Sequence, residues 1–496
     1  MQSNYRLLTI VYIYYMKLNL HIAKVTIACF ILLSTVNFTV KAQEVITLQK
    51  AIDLTLERNL TIKQAQFTEA ISEENLKQSK YNLLPNLTAG PQGSFNFGRN
   101  IDPSTNQFTN QRIFALSGTL STQVTLFQGG QLRNQIIENK LLLSADRSNT
   151  AKVKNDLILN VVTQYLQILT NQDLVTAAQQ QIDIAKITLD RAQKNFDVGN
   201  QTQADLSQAK ASQSTADLNY TNAENQLELS ILTLKQYMEM PPSTNITFEK
   251  PDISKFKNTA TTFDPEAVLK TAIAVNPDIS LAEARQKAAE QDIKVARGSY
   301  FPSVVLFGQL GTNYSDARRL QGQPFLTGRV DTVGYLQNTT TPVITPNVGI
   351  TPPIKYPLGR QLSDNFNQSV GISLQIPIFN RFTTRTAVRK AKITNENAIV
   401  TAQLAKNNLS KIIYQAVWDV QASQKKYLST LQTYNANKDA FNVIQQRYNV
   451  GLVNSLDYNT SLTNLNKSQF DLIQAQYEVV FRNKVIDYYL GNPITL

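Results

Sequence analysis

The chain has 496 residues, with 48 Lys and Arg against 37 Asp and Glu for a formal charge of +11, and it carries one cysteine and one histidine. Those two, Cys29 and His21, sit in a leader-like N-terminus, so the processed chain has no Cys/His metal cluster, no nucleophile with a histidine base and no disulfide. Acids are scattered without an acidic loop or a glycine-rich phosphate cradle, and Lys and Arg are dispersed at helical spacing among Gln, Asn and Ser; the sequence points away from an enzyme, a metal or cofactor site, and nucleic acid.

Residues 1–42 read as an export signal. Met16 with Lys17 and Lys24 makes a basic start, which marks Met16 as the true initiator, Val25 to Val36 is an apolar run too short to span a bilayer comfortably, and Val40-Lys41-Ala42 is a small-residue cleavage site before Gln43. An uncleaved anchor stays open. Lipidation at Cys29 is set aside, because Thr26-Ile27-Ala28 is a poor approach to such a cysteine. Removing Arg6, Lys17, Lys24 and Lys41 lowers the charge to about +7.

The mature chain opens with a helix that leads to Pro85. Strands are expected over about 86–127: Leu87, Ala89, Phe95 and Phe97 mark the first, and in the second Phe114, Leu116, Leu120, Val124 and Leu126 alternate with Ser117, Thr119, Ser121, Gln123 and Thr125. After Gly129-Gly130 neither Gly nor Pro occurs until Gly199, which permits a helix of about 65 residues and about 100 Å. Within it Ala178, Ile182, Ala185, Leu189, Ala192 and Phe196 form a heptad seam; beyond Gly199 the seam resumes through Ala209, Ala216, Tyr220, Leu227, Ser230 and Leu234. A soluble coiled coil would explain the helices but not the alternating segments.

From there the chain repeats itself. Asn59 precedes Pro85 by 26 residues, as Asn276 precedes Pro302; Phe127 precedes Gly199 by 72, as Phe379 precedes Gly451. The offset grows from 217 to 252, so 35 extra residues lie between Pro302 and Phe379. The expected organisation is a first repeat over 43–250 and a second over 251–491, with a short tail at 492–496. The second strand pair falls at about 303–379, with Val304, Leu306, Leu310, Thr312 and Tyr314 in one strand and Val370, Ile372, Leu374, Ile376 and Ile378 in the other. The insertion covers about 316–362 and, being rich in Pro, Thr and Gly, is expected as an extended extracellular loop. Leu465, Ser468, Leu472, Ala475, Val479 and Ile486 repeat the helical seam.

Strands of about ten residues with one apolar face match the staves of a membrane β-barrel. Four staves cannot close alone, and an open edge in lipid leaves amides and carbonyls unpaired, so copies must share one barrel.

The ordered, doubled markers resemble the TolC-like outer-membrane efflux family over Thr47 to Gly491. They are Leu48-Gln49-Lys50-Ala51-Ile52 with Asn59, Leu84-Pro85 and Phe301-Pro302, Leu126-Phe127-Gln128-Gly129-Gly130 and Ile376-Pro377-Ile378-Phe379-Asn380, and above all Phe196-Asp197-Val198-Gly199 and Tyr448-Asn449-Val450-Gly451-Leu452. The resemblance implies a mainly α protein with membrane β-structure: long coiled-coil-like hairpins form an α-barrel, and four strands per protomer contribute to a trimeric twelve-stranded barrel in the outer membrane of a Gram-negative bacterium. It implies a homotrimer acting as the exit duct of a tripartite system, with a periplasmic adaptor and an inner-membrane pump of the proton-driven or ABC type. Val198, Gly199, Val450, Gly451 and Leu452 become adaptor-contact tips. Asp205 and Asp457, each six residues after a tip glycine, become channel-entrance acids; Thr460 stands where the family has a second acid. Cargo is a small toxic molecule or, alternatively, a polypeptide in type I secretion. Monovalent copper or silver is less favoured in a mature chain without His or Cys. A structural coiled-coil surface protein is the rival from another class.

Overall fold

The computed structural model describes residues 44–101, 106–110, 112–251 and 262–494. The expected signal at 1–42 and part of the tail lie outside them. Strand β1 (Glu44–Ile46) leads into α1 (Leu48–Arg58) and α2 (Leu60–Tyr81). Thr47 caps α1 by accepting from Lys50 N at 3.1 Å. Asn59, extended at ψ 128°, ends α1 and starts α2 by accepting from Thr61 N at 2.9 Å, so one residue turns a single run into two helices.

Next come β2 (Asn86–Asn96), the short pair β3 (Asn100–Ile101) and β4 (Phe108–Thr109), and β5 (Ile113–Gln128). Helix α3 (Gln131–Asp197) runs 67 residues unbroken and returns as α4 (Gln203–Tyr237). Strand β6 (Ile246–Phe248) lies parallel to β1. The second repeat follows with α5 (Pro265–Val275) and α6 (Pro277–Gly298), split by Asn276 as α1 and α2 are by Asn59. Then come β7 (Ser303–Ser315), β8 (Arg319–Leu320), β9 (Pro324–Tyr335), β10 (Pro342–Ile350), β11 (Ile354–Lys355), α7 (Leu358–Asp364) and β12 (Asn367–Gln375). Helix α8 (Thr383–Asn449), again 67 residues, and α9 (Ser455–Leu490) close the chain.

Four strands form one antiparallel sheet in the order β2, β5, β7, β12. The helices that continue them, α2, α3, α6 and α8, lie side by side in that same order. Sheet and helices form one wall, bounded next to the sheet by β2 with α2 on one side and by β12 with α8 on the other. At mid-height the wall thickens. There Ile46, Ala51, Val161, Tyr165, Ile168, Leu234 and Met238 form the largest buried cluster, and the Tyr165 hydroxyl donates to the carbonyls of Ile46 at 3.0 Å and Glu249 at 2.9 Å. The second repeat builds a smaller counterpart from Val268, Ala272, Ile413, Val417 and Val420.

Heptad positions named above, Ala178, Ile182, Ala185, Ala192, Ala209, Ala216, Ser230 and Leu234, are buried, as are Ser468, Leu472, Ala475, Val479 and Ile486. Their polar members are bonded: Ser230 accepts from Asn171 Nδ2 at 3.2 Å. Two departures from the sequence reading have plain causes. β12 stops at Gln375, short of Ile378, because Pro377 has no N–H for a ladder. The insertion is an ordered hairpin, β9 against β10, rather than an extended loop. Helix α7 fixes its root. β12 pairs with β7 only as far as Gly311; above that point Gln361, wholly buried, accepts from Ser315 N at 3.0 Å and donates to Ser315 O at 2.9 Å, and Asn365 donates to Asn313 O at 2.8 Å. Side-chain amides thus satisfy the strand edge that β12 leaves bare.

Candidate functional site

The strand register sorts side chains onto two faces. Leu87 and Ala89 of β2, Leu116 and Leu120 of β5, Leu306 and Leu310 of β7, and Val370, Ile372 and Leu374 of β12 share one; Thr88 and Gln92, Ser117 to Gln123 at alternate positions, Gln309 and Asn313, and Ser369 and Ser373 share the other. Val370 is 83% exposed and Ile372 67%, so this apolar face is left open on β12 by the described residues. Aromatics flank that band. Phe95, Phe114 and Tyr314 cluster at one end with ring centroids 4.9 and 6.3 Å apart; Tyr81, Phe127, Tyr300, Phe301, Phe379 and Phe382 stand exposed at the other, where strands become helices. An apolar band between two aromatic girdles, backed by a polar face, is the surface of a barrel with lipid outside and water inside.

Pro85 and Pro302 stand immediately before β2 and β7, where a missing N–H costs no ladder bond. Gly129 and Gly130 precede α3 in the left-handed region, at φ 57° and 75°.

At the far end of the long helices both turns adopt one geometry. Gly199 at φ 80° and Gly451 at φ 78° are left-handed, and each helix is closed by a bond five residues back, Asn200 N to Asn195 O at 2.8 Å and Leu452 N to Arg447 O at 2.9 Å. A Cβ at either glycine would meet nothing within 4 Å, so the left-handed conformation, and no crowding, calls for glycine. Val198, Val450 and Leu452 are about 70% exposed or more. The tips therefore present apolar side chains to solvent on a rigid support.

The two acids differ. Asp205 is the third residue of α4 and completes a capping box: it accepts from Thr202 N at 3.0 Å and Thr202 Oγ1 at 2.7 Å, while Thr202 Oγ1 accepts from Asp205 N at 3.2 Å. Ser455, at the start of α9, donates to its other oxygen. These bonds, Ser455 first, hold the Asp205 carboxyl below the usual carboxylate range. Grouped with Asp457 on sequence spacing, Asp205 is instead occupied in joining the two hairpins. Asp457 holds the same helical position in α9, where Asn454 caps its backbone N–H at 2.8 Å; its carboxylate is exposed and has no partner among the described residues.

Sequence spacing did not reveal how the tips are tied together. Tyr448 stacks on Tyr458 with centroids 4.5 Å apart, Gln201 donates to the Tyr448 hydroxyl at 3.2 Å, and Arg191 donates to Asn449 Oδ1. Beneath them Phe441, Tyr458 and Leu462 pack with Ile184 of α3. The aromatic spacing in Tyr448 and Tyr458 was visible; that both turn toward the first hairpin was not.

Residues 51–238 and 268–492 match the family model described as outer membrane efflux protein. Among curated relatives, the outer membrane efflux protein BepC of Brucella suis is 22% identical over 88% of this chain and 83% of its own length. The outer membrane protein TolC of Escherichia coli is 22% identical over 79% and 72%. Among solved structures, the Campylobacter jejuni CmeC outer membrane channel superposes with a TM-score of 0.72 over 90% of this chain and 85% of that one, at 17% identity. The outer membrane protein VceC of Vibrio cholerae gives 0.70 over 90% and 97%, at 15% identity.

Proposed function

Because the chain belongs to the outer membrane efflux protein family, and is an outer-membrane channel with a helical periplasmic extension, we propose that three copies close into one passive exit duct of a tripartite assembly. The observation that carries this reading is the single copy's wall, which has one lateral order in strands and helices and is raw along both sides. Among the described residues β2 and β12 each have one unpaired side, and in lipid each unpaired backbone group costs several kcal/mol. Below them α2 exposes Leu60, Phe67, Ile71 and Tyr81 at heptad spacing, and α8 exposes Ile393, Val400, Leu404 and Trp418 along one stripe. Rotation sets the β12 and α8 side of one copy on the β2 and α2 side of the next, a heterologous contact that closes as a ring. Three copies supply twelve strands, an even number within the range of bacterial barrels.

In this reading the β9–β10 hairpin stands outside the cell and the tips lie deepest in the periplasm. Val198, Gly199, Val450, Gly451 and Leu452 offer an adaptor an apolar contact where glycine admits a second backbone closely. An inner-membrane pump, proton-driven or ABC type, supplies the energy. Asp457, repeated three times, rings the entrance with negative charge and favours cations there, while Asp205 holds the paired tips shut. The polar lumen face suits small molecules and, as the alternative, an unfolded polypeptide.

The internal repeat sets the register between copies. Ser121 of β5 pairs with Gln309 of β7; their repeat equivalents are Ser373 of β12 and Gln92 of β2. A chain carrying Ser373→Cys and Gln92→Cys, in a protein whose only native cysteine is Cys29, is expected to form disulfides between copies in intact cells, with a ladder ending at three. A protein abundant in the outer membrane that gives no such link would sink the shared barrel.

A further inference from the structure

The two long helices begin from one backbone geometry built with different residues. Before α3 stand Gly129 and Gly130, at φ 57° and 75°; before α8, at the equivalent repeat positions, stand Arg381 and Phe382, at φ 54° and 62°. Side chains with a Cβ are strained in this region, and two in succession mark a place where the side chains themselves are needed.

The glycines are explained by what they touch. A Cβ on Gly129 would fall 2.1 Å from the carbonyl oxygen of Gly298 and 2.9 Å from Phe301 Cβ, because the turn before α3 lies hard against the end of α6; Gln131 Nε2 ties the two by donating to Val295 O at 3.1 Å. Under the repeat, the end of α6 corresponds to the end of α2: Gly298 to Tyr81 and Phe301 to Leu84. α2 lies at the opposite side of the wall from α8, so within one copy the Arg381-Phe382 turn has no such surface. Tyr81 is 58% exposed, Leu84 62% and Phe382 58%.

We propose that Arg381 and Phe382 of one copy clasp Tyr81 and Leu84 of a second copy, at the foot of the barrel. The seam inside a copy closes backbone to backbone through glycine. The seam between copies is wider there and is filled by side chains. Phe382 is held in place by its own segment: it meets Phe379 edge-on at 5.5 Å, and Arg385 lies 5.9 Å from its ring. The left-handed strain is retained because it holds Phe382 at the seam. This inference rests on the ring of copies proposed above.

Two measurements test it, both on the full chain in cells or extracted in detergent. A photoreactive benzoylphenylalanine at Phe382 is expected to capture a second copy through a peptide containing Tyr81 to Leu84; adducts with phospholipid alone overturn the clasp. The double variant Arg381→Gly and Phe382→Gly copies the first repeat and relieves the strain, so an unimportant pair would leave the heat stability of the oligomer unchanged or raised. A lowered dissociation temperature is expected, and an unchanged or raised one overturns the proposal. The Ser373–Gln92 disulfide separates the two levels. If it forms while Phe382 captures no neighbour, the clasp falls and the ring stands; if neither link forms, both fall.

Discussion

The first and second repeats share helix lengths, caps and tip turns, and differ in what equivalent residues do. Tyr165 is buried in the mid-height cluster with its hydroxyl on two carbonyls, whereas its equivalent, Val417, only packs. Gly129 allows two backbones to touch, whereas Arg381 keeps the same left-handed backbone with an exposed side chain. Asp205 locks the tips, whereas Asp457 faces solvent. In the last two of these pairs the first repeat holds its residue in internal contacts and the second leaves its residue exposed. Internal repetition thus lets one half stabilise the protomer while the other carries its outward chemistry.

The largest expected effect breaks this contrast at Gly129. Gly129→Ala imposes left-handed strain of about 1–2 kcal/mol on a non-glycine residue, and its Cβ would overlap the Gly298 carbonyl at 2.1 Å with backbone on both sides. Loss of heat-stable oligomer from the outer membrane is expected, while Arg381→Ala still yields a folded protomer. Equal yields from the two variants would show that the halves are not divided in this way.

Tyr165 gives the next effect. Tyr165→Phe removes the hydroxyl from the buried Ile46 carbonyl, which keeps Glu249 N at 3.3 Å, and from the part-buried Glu249 carbonyl, and is expected to cost about 1 kcal/mol, whereas trimming Val417 to Ala costs only packing. Burial, with Glu249 nearby, pushes the Tyr165 hydroxyl up to about 12. Its proton is therefore held more tightly in the folded state. The stability it confers is complete below the ordinary tyrosine value near 10 and is lost as pH rises through about 12. Thermal unfolding of wild type and Tyr165→Phe across that alkaline window should converge; a constant gap would remove the hydroxyl from the account.

The sequence carried what is periodic and repeated. Asn59 with Asn276, the 67-residue helices, Gly199 with Gly451 and the alternating faces of β5 and β12 all follow from local rules: a cap, an absence of breakers, a left-handed turn, a period of two. The unread features depend on contacts distant in sequence or on dihedral angles. The β9–β10 ladder is broken by irregularities at Val343/Ile344 and Pro346/Val348, which erase the period that would announce it. Gln361 acting as a strand neighbour needs α7 in place first. Nothing in the letters Arg381-Phe382 reveals a left-handed backbone, because those residues normally avoid it.

The smallest expected effect on stability concerns the two acids, and it sharpens the contrast most. Asp205 joins the reciprocal half of the capping box in α4 to a bond from Ser455 at the head of α9, so Asp205→Ala loses both at once while the Thr202 hydroxyl still caps the backbone N–H of residue 205. Since its carboxyl is held below the usual range, the lock is fully formed above the ordinary carboxylate value near 4 and weakens as pH falls through the lower folded value. Asp457→Ala breaks no side-chain bond among the described residues and should leave melting unchanged. In planar bilayers the two variants then separate. Asp205→Ala is expected to raise single-channel conductance by loosening the tips, with little change in ion preference. Asp457→Ala is expected to lower the preference for cations without opening the channel, because it removes charge and leaves every tie between the hairpins in place. If Asp205→Ala instead shifts selectivity and leaves conductance alone, its carboxylate faces the ion path after all, and the lock between Thr202 and Ser455 does not close the entrance.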